Sequence, residues 1–229
     1  MIEFGILIAG SFILEYLLKR LSFWHEKHKY IQEHREYIQQ LEKMDNEYHP
    51  EKPDIETALK CKEYLFQIFP NGIQEKTQNM THEEIIELFK KIEKDAEQLL
   101  DVHIDDIDFY TTEEPPYCNY CGFYCHDEHS FHINTVFILS RIPELIEEQV
   151  YTIFHELKHA RQWAAIEGKL NGTKDYGYSD EQIKIWAENF NNYIPVFISD
   201  ELYRKQPVEK DSFGFELIIK GEHKTYVAQ

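Results

Sequence analysis

Residues 151–163 read YTIFHELKHARQW, and the five residues His155-Glu156-Leu157-Lys158-His159 at their centre decide how the rest of the chain is read. A chain with 12 His and 42 Asp and Glu produces His-Glu-x-x-His by chance at an appreciable rate, so the surrounding sequence has to supply the context. On a helix, His155 and His159 stand one turn apart and point the same way, so both rings can reach one Zn²⁺. Glu156 stands beside them, where a carboxylate can take a proton from a metal-activated water, the general-base role in peptide hydrolysis.

The flanking pattern supports a helix. Pro143 suits a first helical turn, and Ile146, Val150, Ile153 and Leu157 step by four, three and four, which gives one apolar face. Asn171-Gly172 ends it. A catalytic zinc generally has three protein ligands and one open position, so a third donor must come from elsewhere. The only histidine after the motif is His223, and a carboxylate is the better choice. Two compete: Glu188 in IWAENFNNY and Glu209 in QPVEKDSFGFE, each on an expected helix, over 180–193 and 207–220.

Upstream, Thr81-His82-Glu83-Glu84 is a capping-box pattern that opens a helix to about Leu100. The period then changes. Val102, Ile104, Ile107 and Phe109 suggest one strand, Tyr120 to Tyr124 a second, and Phe131 to Ile138 a third. Before Thr81, Pro50 and Pro53 interrupt a polar helix over 25–49, and Asp54 can cap a new one through Phe69. His25, His28 and His34 on the polar helix read as solvated side chains.

The order of an extended segment, a helix with HELKHA, WAENFNNYI and then QPVEKDSFGF resembles the small gluzincin peptidases, in particular the ImmA/IrrE-type proteins. The resemblance covers about residues 100–220, with HELKH and PVEKDS its most specific parts. It implies a minimal zincin-like domain of α+β class: a long active-site helix, a small antiparallel sheet with an exposed edge strand, and further C-terminal helices. It implies His155, His159 and Glu209 as the ligands of Zn²⁺, because in that family the third ligand opens a Glu-x-x-Ala or Glu-x-Asp-Ala string. Glu209-Lys210-Asp211-Ser212 matches with Ser in place of Ala. It further implies that the strand before the motif helix pairs with an extended peptide or protein substrate, which assigns substrate binding to His132, Ile133 and Asn134; an ordinary sheet strand is the other reading.

Composition bounds the rest. A net charge of −18 repels phosphate backbones, so nucleic acid is not an expected partner. The cysteines, Cys61, Cys118, Cys121 and Cys125, do not form the framework of a small secreted domain, which favours a reducing, cytoplasmic setting. Cys118, Cys121 and Cys125 read as reduced thiols rather than a structural zinc site or a redox pair. Tyr193 and Tyr203 are candidate oxyanion donors, and Trp163 and Trp186 are expected to pack between helices. Residues 1–24 are apolar but carry Glu3 and Glu15 and end near Lys19-Arg20, which suits a helix buried against the rest of the protein or a partner, or else a membrane contact, rather than a secretory signal. The expected organisation is thus an apolar helix over 1–24, a polar helical arm over 25–52 and a zincin-like metallopeptidase domain over 53–229. A second reading makes the chain a membrane-associated or partner-binding regulator that uses the same fold as a scaffold.

Overall fold

The computed structural model describes residues 2–44, 47–111 and 121–222, with side chains described from residue 18 onward. The class is α+β, mostly helical, and the chain divides into two compact units. One comprises Met1–Asp45 and Asn192–Gln206, and the other Asn46–Asn191 and Pro207–Gln229.

In the first unit, α1 (Ile2–Glu33) runs unbroken through the expected boundary at residue 24, and α2 (Arg35–Leu41) follows. A short helix, α9 (Asp200–Lys205), begins at Ser199, whose side chain accepts from the Leu202 amide. Tyr37 and Leu41 from α2 are buried with Ile194 and Ile198, so residues 192–206 belong with the arm and not with the domain in which the sequence pattern places them. Their apolar positions serve this small core, which the strand-and-helix periodicity of the neighbouring segments does not reveal. Tyr193 and Tyr203 pack edge to face here, ring centroids 6.2 Å apart.

The second unit contains the motif. Its helices are α3 (Lys52–Ile68), α4 (Ile73–Thr77), α5 (His82–Leu100), α6 (Val136–Leu139), α7 (Pro143–Asn171), α8 (Asp180–Asn191) and α10 (Pro207–Lys220). The capping box at α5 is formed: the Glu84 amide donates to Thr81 Oγ1 at 3.2 Å and the Thr81 amide to Glu84 Oε2 at 2.7 Å. Asp54, in contrast, does not cap α3; it is 2 % exposed and turned inward. The motif helix α7 starts at Pro143 and stops at Gly172, whose φ of 62° is the left-handed conformation that glycine adopts without strain. Ile146, Val150, Ile153 and Leu157 are all buried, so the apolar row is the core face. They join Phe89, Ile92, Phe131, Ile133 and Phe215 in one cluster.

The sheet departs from expectation in two ways. It has three strands, β1 (Asp106–Tyr110), β2 (Gly122–Cys125) and β3 (Ser130–Asn134), in the order β1-β3-β2. β1 runs parallel to β3 and β2 antiparallel to it, so the sheet is mixed rather than antiparallel. β3 is therefore the central strand, flanked on both sides, and among the described residues β1 and β2 form the two edges. β3 is also shorter than the apolar run suggests. Asn134 Oδ1 accepts from the Val136 amide and Thr135 donates its amide to Tyr110, which turns the chain out of the sheet, and Val136–Leu139 forms the helix α6. A short apolar run such as VFIL reads equally as strand or helix, which is why periodicity misplaces its boundary.

Candidate metal centre

The site is built where α10 packs on α7. Positions 155 and 159 share a face of α7, and Glu209, Ser212 and Glu216 are spaced by three and four along α10, which puts them on one face of that helix too. The register of α10 is fixed by hydrogen bonds at its first turn. The Val208 amide, one of the donors that a helix leaves unsatisfied at its start, is capped by Asn189 Oδ1 of α8 at 2.9 Å. The Val208 carbonyl accepts from Gln162 Nε2 of α7 at 3.0 Å. Further along α10, a Cβ on Gly214 would lie 2.0 Å from the Tyr48 ring, so glycine is required for that ring to lie against the helix.

Glu209 bridges the two histidines. Its Oε2 lies 3.2 Å from His155 Nε2 and its Oε1 lies 3.3 Å from His159 Nε2. One donor atom from each of His155, His159 and Glu209 falls within 4.8 Å of the other two, and all three residues are buried. A buried group of two imidazoles and one carboxylate could hold a metal ion. Glu188 is exposed on α8 and lies outside this group; the contribution of WAENFNNY is instead the Asn189 cap.

The other ring nitrogens are also engaged. His159 Nδ1 lies 3.0 Å from Gln162 Oε1 and 3.2 Å from Ser212 Oγ. Because the Gln162 amide group already donates to Val208, its oxygen faces His159, which makes Nδ1 the donor and leaves Nε2 toward Glu209. His155 Nδ1 faces Glu216 Oε2 at 3.5 Å, and Glu216 is held in turn by Lys220 at 2.7 Å. Burial opposes a charge on His155, but the carboxylates of Glu209 and Glu216 outweigh it and push its pKa up to about 10. Glu209 moves the other way. Burial would raise it, and the two histidines hold it well below the usual carboxylate range.

Glu156 is buried beside the pair, and its Oε2 accepts from the Tyr124 backbone amide at 3.0 Å. Burial raises its pKa, with His155 and His159 acting against the shift. This contact places the edge of β2 against the site. The Asn134 amide donates to the Cys121 carbonyl, and alternation along an antiparallel pair then turns the backbone groups of Gly122 and Tyr124 away from β3.

No protein-family model, curated protein or solved structure matches this chain.

The remaining expected site residues lie elsewhere. Ile133 and Asn134 are buried in the central strand, and His132 stacks on Phe123 with ring centroids 4.5 Å apart. All three lie on β3, which is the central strand rather than the edge strand expected there. Cys121 and Cys125 are free thiols, and burial pushes Cys121 up to about 11; Cys118 lies outside the described residues, as does His223. Trp186 is fully buried, as expected, and donates from Nε1 to Asp211 at 2.7 Å.

Sequence reasoning missed Gln162, Ser212, Glu216 and Lys158. The first three were within reach, since each lies three or seven residues from a named ligand on the same helix. Lys158 was not, because a lysine inside a charged string reads as solvent-facing. It is 0 % exposed, donates to Asp54 at 2.7 Å, and lies over the Trp186 ring at 4.5 Å and the Tyr178 ring at 4.9 Å.

Proposed function

We propose that the second unit is a zinc-dependent metallopeptidase of the gluzincin type, similar to the small ImmA/IrrE-like zincins. The observation that carries the reading is the convergence of His155 Nε2, His159 Nε2 and the Glu209 carboxylate in one buried group. Two imidazoles and a carboxylate, with no thiolate, form a donor set that catalytic zinc uses in peptidases. A zinc ion held there would supply a Lewis acid for the scissile carbonyl and would lower the pKa of water.

The chain's own residues account for the rest. Glu156, on the same helix turn as the histidines, takes the proton of the attacking water and delivers it to the leaving amine. The Tyr124 amide fixes that carboxylate, and Gln162, Ser212 and Glu216 orient the two imidazoles. An extended peptide pairs with the outward groups of Gly122 and with the Tyr124 carbonyl on β2, the strand that takes the edge role expected of β3.

Metal analysis of the purified chain together with a Glu156→Gln variant tests the reading. The expected result is about one zinc per chain in both proteins, with peptide hydrolysis reduced about 10²- to 10⁴-fold in the variant. A wild-type chain without stoichiometric metal sinks the proposal, as does proteolysis that survives the substitution.

A further inference from the structure

The helix α1 carries a second feature, unconnected with the metal group. From Phe4 to Leu18 the sequence holds a single charge, Glu15, placed in the last turn before the cationic pair Lys19-Arg20. Beyond that pair the helix continues without a break to Glu33, and its sequence becomes polar, HEKHKYIQE. Around the boundary, large apolar side chains face solvent: Leu18 is 57 % exposed, Leu21 62 %, Phe23 47 % and Trp24 58 %. Phe23 also meets the ring of Phe197, itself 41 % exposed, at 5.8 Å within the same unit.

The placement of the apolar residues along α1 discriminates between occupants. At about 100° per residue, Leu18, Leu21 and Trp24 fall within about 120° on one side and Phe23 turns away toward Phe197, whereas the run Phe4–Leu14 before them carries no charge on any side. A partner helix or a protein groove covers one stripe and leaves the opposite face polar, whereas lipid surrounds a helix on all sides. The order along the axis fits as well. An apolar run, then Lys and Arg, whose long stems let the charges reach headgroups, then an exposed Trp, is the sequence expected at a membrane–water boundary.

We propose that α1 enters a lipid bilayer up to Leu18, with Lys19, Arg20 and Trp24 at headgroup level, and so tethers the chain to a membrane surface. Fifteen residues at 1.5 Å each reach roughly 22 Å, short of a hydrocarbon core of about 30 Å. Among the described residues no helix is long and apolar enough to cross a membrane, and tethering requires burial rather than crossing.

The test is flotation of the full chain with vesicles of phosphatidylcholine and phosphatidylglycerol, in parallel with a Leu18→Gln/Leu21→Gln/Trp24→Gln variant. The wild type is expected to rise with the vesicles and to stay with them in high salt, because apolar burial is not screened. The variant should lose at least about tenfold in the floated fraction, since three large apolar groups no longer leave water. A wild type that stays at the bottom of the gradient overturns the proposal. So does a variant that floats equally well, or a wild type that self-associates without floating. Zinc content, read on both proteins, belongs to the metallopeptidase reading and can fail or hold independently of flotation.

Discussion

His155 lies between two carboxylates, Glu209 on Nε2 and Glu216 on Nδ1, and the consequences of that position are measurable. Without metal the flanking carboxylates hold its proton to about pH 10, whereas a metal ligand must present a neutral imidazole. Metal binding therefore displaces a proton at neutral pH. Apparent zinc affinity should rise about tenfold per pH unit for each proton released, and chelator competition at two pH values between 6.5 and 9 measures the slope. Glu216→Gln removes the charge that orients His155 while keeping the shape of the side chain. A drop in zinc affinity of about 10- to 100-fold is expected, and unchanged affinity would reduce Glu216 to a partner of Lys220 alone. The candidate ligands are visible in the sequence because HELKH compresses two of them into one helical turn. Their supports are unmarked there, since Gln162, Ser212 and Glu216 are ordinary helix residues until α10 is docked on α7.

At the scale of elements, helices were legible to their ends and the three strands in their places, whereas the pairing of the strands was not, for a physical reason. The apolar row of α7, its Pro143 start and its Gly172 stop are local signals, and each appears in the structure where the sequence puts it. Which strand lies at the edge of a sheet is set by non-local pairing, and β3 looks the same in sequence whether one or both of its sides are paired. The network around Lys158 is equally non-local. Asp54 from α3, Tyr178, Trp186 from α8 and Asp211 from α10 gather around an ammonium that burial disfavours and that Asp54 and Asp211 support. Burial pushes Asp211 up to about 6, against the pull of Lys158, so Asp211 depends on that cation to remain charged. Lys158→Met, which keeps the length and removes the charge, should destabilise the protein by about 3–5 kcal/mol because two buried carboxylates lose their counter-ion. Denaturant unfolding measures it, and a loss below about 1 kcal/mol would mean that water or protonation replaces the lysine without difficulty.

At the scale of the whole molecule, the metal group joins parts of the chain that are far apart in sequence, 54 residues between His155 and Glu209. Folding has to order that loop before the three donors meet, and an ion that binds only the folded state adds its binding free energy to stability. At a free metal concentration a thousand times the dissociation constant, the contribution is about 4 kcal/mol. For a chain of 229 residues, each kcal/mol moves the thermal midpoint by roughly 2–4 °C, so chelation should lower it by about 10 °C. Scanning calorimetry with and without chelator gives the shift, and Glu209→Gln supplies the control. That variant should melt at the same temperature in both conditions, because the bridge between α7 and α10 cannot be closed by two histidines of one helix. If the wild type were equally insensitive to chelator, the buried histidines and Glu209 would be a charge cluster that holds α10 on α7 by ion pairing alone, and the pH slope of zinc affinity would vanish with it.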